Sequence, residues 1–113
     1  MSIEIRGHLK PTDALRRHVE KRVTAAVGRM QQHIRGVTVW FDDINGPSRG
    51  GADKSCRIAV TLEGPRQAPV VVEEVHWDLY KAITLAANRM SHNLRREVDR
   101  LSDSRQKSSA TVS

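Results

Sequence analysis

The stretch from His76 to Leu101 constrains this chain most. Leu79, Ile83, Ala86, Ala87, Met90, Leu94, Val98 and Leu101 recur there at three- and four-residue steps. That is the helical period, and a strand, whose period is two, cannot place those side chains on one face. The segment must form one long helix with an apolar stripe, and the stripe must be buried against a second layer. Arg89, Asn93, Arg96 and Arg100 follow on a neighbouring stripe, which His92 and Arg95 extend towards solvent. A buried side beside a fixed positive side suits a domain that holds an anion, and nucleic acid is the first candidate.

The rest of the chain supplies the second layer. Ser2 to His8 alternates Ile3 and Ile5 with Glu4 and Arg6, as a half-buried strand does. Lys10-Pro11-Thr12 breaks it, with Thr12 as helix N-cap and Asp13 at the positive end of the helix dipole. Leu15, Val19, Val23, Ala26, Val27 and Met30 then mark a helix from Asp13 to about Gln32, with Gly28 weakening its last turn and Gly36 ending the region. Three strands are expected next, at Val37–Ile44, Lys54–Leu62 and Pro69–Val75, separated by turn-rich loops at 45–52 and 64–67. Short connections favour an antiparallel meander, and the helical crossover favours parallel pairing of the first two strands. The fold class is therefore α+β, in the order β-α-β-β-β-α, a four-stranded mixed sheet with two helices packed on one face. Residues 1–101 form a single domain, and the polar stretch 102–113 is expected to be a disordered tail.

Charge is distributed unevenly. The chain is +6 overall, yet residues 10–35 carry +5, residues 76–107 carry +3, and the remainder is slightly acidic at −2. Positive charge thus concentrates in the two helical segments, as a phosphate-binding surface requires. Helix one aligns His18, Arg22, Ala25 and Arg29 beside its apolar face, with Arg17 and Lys21 further outward. Arginine, whose planar fork matches phosphate, predominates over lysine on these faces.

Other chemistry finds little support. No phosphate loop with its Lys-Ser/Thr precedes a helix. Asp42 and Asp43 are adjacent on a strand and point to opposite faces, so they read as strand-end solvation. The five histidines are scattered without ligand spacing, and no metal, cofactor or catalytic residue is expected. Cys56 alternates with Ile58 and Val60 and reads as a small buried hydrophobe; a single cysteine forms no internal disulfide and fits a reducing compartment. No apolar run is long enough to span a membrane and no signal-peptide pattern opens the chain, so a cytoplasmic location is expected. The aromatics Trp40, Phe41, Trp77 and Tyr80 are few; Tyr80 reads as packing and Trp77 as a staple at the entry to helix two. Binding through backbone shape and charge is favoured over base stacking.

The segments TDALRRHVEKRV (12–23), VTVWF (37–41) and especially DLYKAITLAANRMSHNLRR (78–96) resemble the ribosome hibernation promoting factor and ribosome-associated inhibitor A family. The resemblance covers residues 1–101 and agrees with the expected element order. It implies a non-enzymatic inhibitor of translation that binds the small ribosomal subunit, on ribosomal RNA in the channel for messenger and transfer RNA. It implies a short form, without the second domain that pairs ribosomes. Arg16, Lys21 and Arg22 on helix one and Arg89, Arg95 and Arg96 on helix two match the family's basic motif. Arg29, His92 and Arg100 join the expected RNA-binding set from the stripe argument. Ala25 stands where many members are basic. No membrane and no small-molecule substrate are expected. The alternatives are a general double-stranded RNA-binding module and an interaction module for an acidic protein partner.

Overall fold

The computed structural model describes residues 2–43, 53–64 and 68–112, with side chains described as far as residue 100. Its elements are β1 (Ile3–Gly7), α1 (Asp13–Val27), β2 (Ile34–Asp43), β3 (Lys54–Leu62), β4 (Val70–His76) and α2 (Leu79–Val112), with a 3-10 turn over Gly28–His33 between α1 and β2. The strands form one mixed sheet in the order β1-β2-β3-β4. β1 pairs parallel to β2, with Ile3 opposite Val37, and the other two pairings are antiparallel. This is the expected α+β architecture.

Each element starts and stops for a local reason. The Thr12 hydroxyl accepts a hydrogen bond from Leu15 N at 3.1 Å and closes the first turn of α1. The α-helix ends at Val27, five residues before the expected end at Gln32, and gives way at Gly28 to the 3-10 turn. β2 begins at Ile34 rather than Val37: Gly36 lies inside the strand, where the register against β3 shifts between Ile34 and Gly36. Such a shift suits glycine, which leaves no side chain to place across the irregularity. α2 continues to Val112, past the expected boundary at Leu101.

Alternate residues of the strands face the helices. Val37, Val39 and Phe41 on β2, Ile58 and Val60 on β3 and Val72 on β4 are buried against Val19, Val23 and Val27 of α1 and Ile83, Ala86, Met90 and Leu94 of α2. Small Ala82, Ala86 and Ala87 let α2 approach the sheet closely. The core is thus one apolar slab between a sheet and two helices, and the outer surfaces of both helices are left to solvent.

Candidate nucleic-acid interface

Since the core takes the apolar stripes, the polar stripes are forced outward, and the helix pairing decides which of them meet. His18 fixes that pairing. It is half-buried, with Nε2 lying 3.2 Å from the Tyr80 carbonyl oxygen and 3.3 Å from the Thr84 hydroxyl of α2. Its ring packs on Tyr80 with centroids 4.9 Å apart. The flank of α1 bearing His18 therefore faces α2, and Arg22, Ala25 and Arg29 follow on that flank at helical steps. Lys21 is exposed on the outward crest. Arg16 is exposed as well, but on the flank of α1 turned away from α2.

Where the two helices run side by side, Ala25 and Ala26 of α1, Arg29 and Met30 of the 3-10 turn that follows it, and Ser91, Arg95, Val98 and Asp99 of α2 line a cleft of about 470 Å³. Arg29 and Arg95, far apart in sequence, are brought to one opening.

The expected single stripe on α2 divides in two. Arg95 lies on the α1 side, whereas Arg89 lies over β4, where its Nη1 donates to the Glu73 carbonyl at 3.4 Å and to Glu74 Oε1 at 3.3 Å. Asn93, Arg96 and Arg100 line a recess of about 220 Å³ with Glu97 and Val70, at the start of β4. His92 is exposed on the crest between the two groups. The cause is angular: residues 89, 93, 96 and 100 stay together at helical steps, and position 95 falls on the opposite shoulder.

Pairing grades these cations. Glu74 partly neutralises Arg89, and Glu97 lies 3.3 Å from Arg100. Among the described residues, no ion pair engages Arg16, Lys21, Arg22, Arg29, Arg95 or Arg96. Such unpaired cations keep their full capacity for an external anion. Lys54, at the start of β3, is held between Asp43 at 2.9 Å and Asp53 at 3.2 Å, and the hydrogen bonds its ammonium donates to both carboxylates raise its pKa. Arg49 and the rest of loop 44–52 lie outside the described residues.

The remaining chemistry is structural. Asp42 accepts hydrogen bonds from the His8 backbone at 3.1 Å and meets its ring Nδ1 at 2.7 Å, which holds the carboxyl below its ordinary pKa. Cys56 is fully buried, and desolvation pushes its thiol up to about 12, so it is no nucleophile. No group of three potential metal ligands occurs among the described residues. Trp77 is 68% exposed, with its ring 5.3 Å from that of His76, and Tyr80 is 42% exposed and packs against His18. Sequence reasoning missed Ser91 and Asp99 as cleft residues and assigned Val98 to the core, although it is half-buried and lines the cleft wall. The steps 91, 95, 98 on α2 would have revealed that wall once the α1 flank was known.

The chain matches the family model described as sigma 54 modulation protein / S30EA ribosomal protein over residues 3–102. No curated protein sequence matches it. Among solved structures it is similar to the N-terminal domain of Protein Y from Thermus thermophilus, at 32% identity and a TM-score of 0.68, covering 85% of this chain and 98% of that one. It is also similar to a ribosomal subunit interface protein from Coxiella burnetii, at 21% identity and a TM-score of 0.69, covering 88% of this chain and 99% of that one. The second likeness is one of fold.

Proposed function

Given that the chain belongs to the sigma 54 modulation protein / S30EA ribosomal protein family, we propose that it is a non-enzymatic translation inhibitor that docks the outer face of its two helices on the small ribosomal subunit. There it occupies the channel used by messenger and transfer RNA and holds ribosomal RNA by phosphate contacts. The observation that carries this reading is the set of unpaired cations, Lys21, Arg22, Arg29, Arg95 and Arg96, exposed on the helical layer. The family's description as a ribosomal protein supports a ribosomal partner. A charged layer of this kind reads phosphate position rather than base sequence. Arg16, Arg89, His92 and Arg100 complete the proposed contact set, with Arg89 and Arg100 weakened by their carboxylates.

Co-sedimentation with purified ribosomal subunits across a salt series tests the proposal. Saturable binding near one per small subunit, competed by messenger and transfer RNA, is expected. The triple reversal Arg29→Glu, Arg95→Glu, Arg96→Glu should abolish it while leaving the fold intact by circular dichroism. A folded triple variant that binds undiminished would overturn the assignment of this face. Equal affinity for any RNA duplex would make the chain a general double-stranded RNA module instead.

A further inference from the structure

The cleft between α1 and α2 asks for more than a backbone phosphate. Its volume of about 470 Å³ lies in the range of sites for small ligands. Ala25, Met30 and Val98 supply an apolar lining, Arg29 and Arg95 bring two cationic forks, and Asp99 adds a carboxylate. A surface meant only for backbone phosphates gains nothing from an apolar recess and is weakened by a carboxylate inside it.

These features are reconciled by one class of occupant. We infer that the cleft seats one unpaired nucleotide of a bound RNA, an inference that rests on the ribosome-binding reading above. The phosphate lies between Arg29 and Arg95, and the base lies flat on Ala25, Met30 and Val98. The carboxylate oxygens of Asp99 accept hydrogen bonds, so they take an amino or imino donor on the edge of the base. The carboxylate thereby fixes the polarity of the site, phosphate at the arginines and donor edge at Asp99. An acidic peptide would satisfy the arginines, but its side-chain carboxylates meet Asp99 as a like charge and it brings no flat ring to cover Ala25, Met30 and Val98. A paired base cannot enter, because both its faces are stacked within the duplex and it would have to be flipped out first. The small side chain of Ala25 is the requirement: it is exposed on α1, where a larger residue would fill the cleft without disturbing the core.

The test compares two RNA hairpins, one with a fully paired stem and one with the same stem carrying a single bulged nucleotide, by fluorescence anisotropy at fixed salt. The wild-type chain should prefer the bulged hairpin by about three- to tenfold, the scale of taking part of one base's apolar surface out of water on an aliphatic patch. Ala25→Leu should lose that preference, with an unchanged thermal midpoint showing that the fold is intact. Thr24→Leu, one residue away on the solvent side of α1, should keep it. Absence of a preference in the wild type, its survival in Ala25→Leu, or displacement of both hairpins by polyglutamate at equal charge would each overturn the inference. Co-sedimentation of the same variants with small subunits separates the two levels. If the wild type binds subunits and Ala25→Leu binds them equally well, the cleft assignment fails and the ribosome-binding reading stands; if the wild type does not bind them, that reading fails.

Discussion

Single atoms decide the tolerance of two positions. Gly7 has φ +111, and a Cβ there would meet Phe41 N at 2.7 Å and the Phe41 carbonyl carbon at 2.9 Å, besides pressing on the carbonyl oxygen. Left-handed strain and backbone overlap act together, so Gly7→Ala should destabilise by about 2 kcal/mol or more and lower the thermal midpoint by roughly 8 °C or more. Gly28 is the control: a Cβ there meets nothing within 4 Å and the backbone is helical, so Gly28→Ala should be neutral or stabilising by up to about 1 kcal/mol. A midpoint for Gly7→Ala equal to that of Gly28→Ala would contradict the argument. Cys56 acts through titration. Burial raises its thiol from 9.0 to about 12, so the folded chain retains a proton that the unfolded chain releases. Its contribution is complete below pH 9.0 and is lost as the pH climbs from there towards 12, at up to about 1.4 kcal/mol per pH unit. Urea midpoints should therefore fall above pH 9.0 more steeply for the wild type than for Cys56→Ala. Equal slopes would mean that the thiol ionises within the fold.

On α2, pairing matters as much as position. Arg89 shares its charge with Glu74 at 3.3 Å, whereas Arg96 has no ion pair among the described residues. Glu74→Gln should release Arg89 and tighten binding to small subunits by about two- to fivefold, and Arg96→Gln should weaken it more than Arg89→Gln does. Equal losses for the two arginine variants, with no gain from Glu74→Gln, would show that Glu74 already yields to RNA. Elements of this kind were legible in advance because periodicity is a local property. The stripes of α1 and α2 and the alternation Cys56, Ile58, Val60, Leu62 each name a buried face without reference to the partner. What sequence could not supply was the rotation of one helix against the other. The sequence grouped Arg95 with Arg96 as positive charge; helical angle separates the two, and the contact of His18 with Tyr80 and Thr84 decides that position 95 faces α1 and position 96 faces β4. That contact spans more than sixty residues of sequence. The bulge at Gly36 escaped for a similar reason, since a register shift belongs to two strands and is invisible in either one.

For the whole molecule the question is whether the net charge of +6 or the placement of that charge governs binding. A long-range field weights every cation by distance and is screened beyond about 10 Å at 0.1 M salt, so it speeds encounter with any polyanion. Contact with phosphates is different, because each neutralised phosphate releases condensed counterions, and the slope of log K against log salt counts those contacts at about 0.7 to 0.9 per phosphate. The sheet offers a control cation for this distinction. Ile5 packs into the core and Arg6, its neighbour on β1, points to the opposite face of the sheet, bound to Glu4 at 2.7 Å. Arg6→Gln and Arg29→Gln remove the same charge from opposite sides of the slab. If placement governs, Arg29→Gln should reduce the slope for small-subunit binding by up to about one, adding Arg95→Gln should remove no more than that same single phosphate contact, and Arg6→Gln should leave it unchanged. If net charge governs, all single variants should shift affinity alike and none should change the slope by a whole contact. The two-layer architecture favours the first outcome: one side of the sheet is covered by the helices that carry the unpaired arginines, and the charges described on its other side, Arg6 with Glu4 and Arg57 with Glu73, are already paired.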